Sequence, residues 1–198
     1  MMSDTSPHRD YTVVDLPADV PVFDFTTAYD PESILDEPWG IGRYDERRVQ
    51  NMYNNSDLYD ETRCIHMGID IWGPAGTPVK AFADGRVYAV VNHDSPRNYG
   101  PTVITEHLLD GERIWALHGH LSQQTLGHVD LDQPVQAGDV IGWFGTATEN
   151  GGWPPHLHLQ LSREEPMNND MPGVVAPADR EEARQIYPDP RRILGAIY

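Results

Sequence analysis

The stretch GGWPPHLHLQL, residues 151–161, places His156 and His158 two apart inside an apolar run. In a β-strand, residues i and i+2 point to the same side, so both imidazoles would share one face, with Leu157 and Leu159 on the other. Two further places repeat the pattern. HMGID offers His66 and Asp70 at a spacing of four, and LHGHLS offers His118 and His120 at a spacing of two. Each even spacing puts its pair on one face of an extended segment. Neutral imidazole and carboxylate are good ligands for Zn²⁺. A catalytic zinc takes three protein ligands and keeps a fourth position for water, and two histidines left over beside that water suit proton transfer. Singly, the pairs say little. Nine histidines and 31 acidic residues in this chain give roughly one His-x-x-x-Asp/Glu match by chance. Packed strand histidines account equally well for His156 and His158 alone, and a surface pair for His66 and Asp70. Three segments together point to a metal.

The elements that hold these residues read as strands. Residues 65–161 break into short β runs separated by turn signals. TPVKAFADGRVYAVVNH holds two strands joined near Asp84-Gly85. PTVITEHLLDGERIWALHGHLS is a hairpin pattern with Asp110-Gly111 as its turn, because Gly tolerates positive φ. PVQAGDVIGWFG is a short turn and strand, and HLHLQLS reads as the last strand. No α-crossover pattern separates the runs, so the fold class is mainly β and antiparallel. A faint internal echo links GTPVKAFADGRVYAV with DQPVQAGDVIGWFG: each puts Pro-Val before a turn and an apolar strand. Residues 1–60 read as an irregular lead-in packed on the core, with a short helix near 46–53 and loop in NMYNNSDLYDETR. Residues 61–162 form the β domain. Residues 163–198 form a loop, a short helix in PADREEARQIYP with Asp179 as N-cap, and a tail.

The order His-x-x-x-Asp, then GHLS, then HLH resembles the lysostaphin/LytM-type zinc endopeptidases. The similarity extends through GTPVKAFADGRV, VQAGDVIGWFG and GGWPPHLHLQLS, and so covers roughly half of the chain, residues 60–162. The resemblance implies an antiparallel, sandwich-like β fold with a duplicated hybrid motif, which the echo suits. It implies zinc-dependent hydrolysis of an amide bond by a metal-activated water, usually in the cross-link or stem peptide of peptidoglycan. By that match His66, Asp70 and His158 bind Zn²⁺, His156 is the general base, and His120 is the second catalytic histidine. His118 stands where many relatives carry an aromatic residue.

The charge qualifies the substrate. A formal net charge of −17 excludes a nucleic-acid binder or a binder of anionic membranes, and it would repel an anionic cell wall. The partner expected is a peptide or muropeptide-like substrate. MMSDTSPHRDYTVVDLP lacks a basic and then apolar leader pattern, no window suits a membrane span, and Cys64 is the single cysteine, so the expected setting is cytoplasmic. PTVITEHLLDG, NGGWPPHLH and the Pro-Asp-Pro tail are similar to cytoplasmic members of the family. Two alternatives stand. One is a non-catalytic binding or regulatory module that keeps zinc for structure. The other is a lipoyl or biotinyl carrier using Lys80, which leaves every histidine unexplained. His8, His93, His107 and His128 fit no pattern and are expected to be solvated. Cys64 could share the face of His66, Trp153 and Tyr99 could wall a groove, and Asn54 and Asn55 sit in a loop that could cover it.

Overall fold

Alternating apolar and polar residues build one central sheet. The computed structural model describes residues 12–36, 38–53 and 63–198. His8, Asn54 and Asn55 lie outside them. Among the described residues the strands are β1 (Gly40–Gly42), β2 (Ile65–His66), β3 (Ile69–Trp72), β4 (Pro78–Lys80), β5 (Gly85–His93), β6 (Gly100–Leu109), β7 (Glu112–Gly119), β8 (Pro134–Val135), β9 (Val140–Trp143), β10 (His156–Ser162) and β11 (Val174–Val175). The helices are α1 (Pro31–Asp36), α2 (Arg180–Ile186) and α3 (Arg191–Leu194). Seven strands form a sheet in the order β1-β3-β10-β7-β6-β5-β8, and β4–β9 and β2–β11 form two further pairs. Every pairing of these strands is antiparallel. The mainly β expectation is met.

Period-2 alternation sends Ile69 and Ile71 of β3 and Leu157, Leu159 and Leu161 of β10 to one face. There they pack with Val79, Phe82, Ile141 and Phe144 from the β4–β9 side in the largest apolar cluster. The same alternation sends Asp70, Trp72, His156, His158 and Gln160 to the other face. Burial of this much aliphatic surface, at about 25 cal/mol per Å² of apolar area, is what makes the register costly to slip.

The internal echo is a reciprocal exchange. The first Pro-Val, in β4, pairs with β9, which follows the second Pro-Val: Pro78 is opposite Trp143 and Val79 opposite Gly142. The second Pro-Val, in β8, pairs with β5, which follows the first: Gly85 is opposite Val135 and Arg86 opposite Pro134. The β6–β7 hairpin closes at Asp110-Gly111, with φ of 53° and 83°, and Leu109 is opposite Glu112. Two successive positive φ values are those of a type I′ turn.

Three of these expectations need correction. The run HLHLQLS is β10 but not the last strand; Val174 and Val175 of β11 pair with His66 and Ile65. The helix near 46–53 shrinks to one 3₁₀ turn, Gln50–Met52. Asp179 is the N-cap residue of α2 as expected, with no side-chain capping hydrogen bond. His107 is buried rather than solvated, with Nε2 2.7 Å from Thr105 Oγ1 and its ring 4.1 Å from that of Phe82. His93 is half-buried and His128 exposed, and each places Nε2 near a backbone carbonyl.

Candidate active site

His158 sits opposite Asp70 across β10 and β3, and His156 sits opposite Trp72. His66 enters from β2, which is held between residues 45–48 of the lead-in and β11. Three atoms converge: His66 Nε2 lies 3.1 Å from His158 Nδ1 and 3.3 Å from Asp70 Oδ1, and His158 Nδ1 lies 2.9 Å from Asp70 Oδ1. All three residues are buried.

The protons of this cluster follow from its outer partners. His66 Nδ1 is 2.9 Å from the Arg43 carbonyl, which can only accept, so Nδ1 carries the hydrogen and Nε2 the lone pair. Gln160 Nε2 donates to the Pro172 carbonyl at 3.3 Å, which leaves Gln160 Oε1 to accept from His158 Nε2 at 3.0 Å. The lone pair of His158 is therefore on Nδ1. Asp70 Oδ1 is an acceptor too. With both imidazoles neutral, three acceptors face one another with no hydrogen among them, an arrangement that a cation stabilises. Ligands about 2.0–2.1 Å from a tetrahedral zinc stand roughly 3.3 Å apart, close to these separations. The residues fit zinc in chemistry and in spacing.

His120 and His156 stand beside the cluster, with ring centroids 4.1 Å apart. His156 Nδ1 is 2.7 Å from the Pro154 carbonyl and His120 Nδ1 is 3.0 Å from the Asn150 carbonyl. Both are thereby Nδ1–H tautomers with Nε2 as the basic atom. Trp72 stacks on His156 at 5.1 Å and 16°. A small cavity of about 30 Å³ is lined by all five residues together with Arg48, Met52, Tyr53, Tyr99 and Trp153. The five are only 2–6% exposed.

Burial sets their protonation. It pushes His156 down to about 4 and His120 well below the usual histidine range, the latter helped by His156 and His158. Burial and then the charge of Arg48 push His66 down to about 4. For Asp70, burial works upward but is outweighed by His66 and Arg48, so its carboxyl stays well below the usual range.

The sequence expectations brought together here are His66, Asp70, His120, His156 and His158. Tyr99 and Trp153 also reach the cavity wall. His118 does not. It is opposite Leu159 in β7 and so lies on the core face, fully buried, with Nδ1 3.2 Å from the Val103 carbonyl. The even spacing to His120 misleads because His120 has φ of 64°, a left-handed turn just past the strand end that swings its ring to the opposite face. Cys64 packs with Ile65, Met67, Val175 and Ala183, away from the triad. Sequence reading missed Arg48, Gln160 and Trp72. The last two were accessible from period 2, being two residues from His158 and Asp70. Arg48 had no local signal.

Comparisons with known proteins find relatives for the chain. A DD-carboxypeptidase/endopeptidase Mpg from Neisseria meningitidis serogroup B is 36% identical over 98 residues, covering 48% of this chain and 20% of that one. The glycyl-glycine endopeptidase ALE-1 of Staphylococcus capitis is 33% identical over 107 residues, covering 52% and 26%. The chain thus spans about a fifth to a quarter of the length of these curated relatives. The catalytic domain of lysostaphin from Staphylococcus simulans aligns with a TM-score of 0.48 at 21% identity, over 76% of this chain and 96% of that one, a likeness too distant to add to the argument. The sequence profile described as Peptidase family M23 matches residues 64–169. That stretch is more than half of the chain and contains all five of the converging histidine and aspartate residues; the chain belongs to peptidase family M23.

Proposed function

We propose that the protein is a zinc-dependent metallo-endopeptidase acting on peptidoglycan-type or related small peptides. The observation that carries this reading is the convergence of three hydrogen-free acceptors, His66 Nε2, Asp70 Oδ1 and His158 Nδ1, beside two further basic nitrogens. When bound, zinc supplies Lewis acidity: it polarises a carbonyl and lowers the pKa of water to about 7. The chain's own residues do the rest. His156, neutral at pH 7 and oriented by Pro154, accepts a proton from the attacking water at Nε2 and returns it to the leaving amine. His120 carries its hydrogen on Nδ1, so its Nε2 accepts a hydrogen bond from the same water and aims it.

The peptide class is taken from the relatives, whose names describe endopeptidases. The binding-module alternative is not favoured, since a structural zinc has no use for His120 and His156 and normally takes four protein ligands. A cytoplasmic setting belongs to the same proposal, supported by a single buried cysteine; no helix among the described residues is long and apolar enough to cross a membrane. Residues 1–60 and 163–198 are taken as segments completing the 61–162 unit, since β1 extends its sheet and β11 backs His66. The test is hydrolysis of a panel of peptides and muropeptides with and without chelator. Cleavage that stops with chelator and returns with zinc is expected. Cleavage indifferent to chelator would refute the reading.

A further inference from the structure

The outer partners of two of the triad residues come from before residue 64, where the family match begins. The Arg43 carbonyl takes the His66 Nδ1 hydrogen, and Arg48 Nη1 lies 2.7 Å from Asp70 Oδ2. A carboxylate can grip a cation through one oxygen or through both. The Arg48 bond engages Oδ2, so Oδ1 alone faces His66 and His158.

Arg48 is itself held on several sides. Its Nε is 3.2 Å from Glu46 Oε2, its Nη1 is 3.3 Å from the Tyr53 hydroxyl, and its guanidinium carbon sits 5.2 Å from the Phe25 ring centre. Its backbone N–H donates to the Cys64 carbonyl, two residues before His66. The Arg48, Glu46 and Asp70 side chains are 2–3% exposed. Burial alone would drain the charge from the guanidinium, but Tyr53, Asp70 and Glu46 outweigh it and the group stays charged. The placement has a cost. Nη2 is buried without a hydrogen-bond partner among the described residues, against the backbone of Gly42 and the edge of Trp72. The guanidinium is placed for the two carboxylates.

We infer that Arg48 is a positioning residue of the metal centre: by engaging Oδ2 it holds Asp70 in place so that Oδ1 alone is offered for ligation. The inference rests on the zinc reading above. It makes the lead-in a working part of the centre, although the family match does not include it. Outer partners of this kind typically govern about 10–100-fold in metal affinity.

The test uses cobalt(II) as a spectroscopic substitute, titrated into the full chain, with zinc affinity measured by chelator competition. Wild type is expected to show the intense visible bands of a four-coordinate ion at one per chain. Arg48→Met should bind about 10–100-fold more weakly, with fainter bands as Asp70 closes both oxygens on the metal. Arg48→Lys keeps a charge and one donor but lacks the fork, and should be intermediate in both readouts. Wild-type affinity and spectrum in Arg48→Met would overturn the inference and leave a structural ion pair. Should Arg48→Met not fold, Arg48→Lys decides alone, and wild-type values there overturn it equally. Absence of one cobalt or zinc per wild-type chain would instead refute the zinc reading itself.

Discussion

Asp70 and His158 face each other across β3 and β10 with Oδ1 and Nδ1 2.9 Å apart, and in the neutral tautomer that Gln160 selects neither atom carries a hydrogen. Gln160 enforces this, because its amide donates to Pro172 and leaves only its oxygen for His158 Nε2. Replacing Gln160 with Leu frees the imidazole to put its hydrogen on either nitrogen. Zinc affinity should fall by about 10–100-fold with the fold intact. Chelator competition measures it, and unchanged affinity would mean that the tautomer is set some other way.

His156 and His120 should separate chemistry from metal binding. His156→Ala removes a base that holds no metal in this account, so zinc content should persist while turnover drops by about 10²–10⁴. His120→Ala should also keep zinc and lose turnover. Metal analysis beside peptide cleavage checks both, and loss of zinc in His156→Ala would reassign that residue to the ligand set.

Gly68, inside HMGID, is required for space. A Cβ there would lie 2.5 Å from His158 Cε1 and 2.7 Å from the Leu159 carbonyl oxygen. The side chain could be pushed off, but the backbone of β10 could not follow without breaking its pairing. Gly68→Ala should therefore weaken zinc binding by at least about tenfold and lower stability by about 1–3 kcal/mol. Zinc titration and urea unfolding test this, and a wild-type result in both would show that β2 and β10 yield more readily than the packing indicates.

His118 predicts an acid sensitivity unrelated to the metal. Burial on the core face pushes it down to about 3. The folded state keeps it neutral while the unfolded state takes up a proton near the ordinary value of about 6.5. The unfolded state thus binds more protons between about pH 6.5 and 3. Stability is full above 6.5 and falls as pH drops toward the folded value, by on the order of a few kcal/mol. Urea unfolding at pH 7 and pH 5 should show the loss. His118→Asn can still donate to the Val103 carbonyl and should flatten the slope. An equal slope in the variant would assign the loss to other groups.

What could be read in advance followed from local rules. Alternation in HLHLQLS gave β10 its bounds, and Asp110-Gly111 gave the β6–β7 turn. The echo between the two Pro-Val runs was visible, but their exchange of partners was not, because pairing depends on contacts 48–65 residues apart. β11, at two residues, is too short to show a period and exists because β2 offers it an edge. His118 was placed with His120 by spacing, and the positive φ at His120 undid that rule. Arg48 is ordinary in its own neighbourhood and gains its meaning only where Asp70 meets it.

The central claim is that His66, Asp70 and His158 together hold one zinc. The most direct measurement is the metal content of the purified protein after zinc reconstitution and dialysis, beside Asp70→Ala and His158→Ala. The account predicts about one zinc per wild-type chain, from a site of three protein ligands, with loss from both variants that remain folded by circular dichroism. A wild-type chain that takes up no zinc, or variants that retain it, would contradict the account.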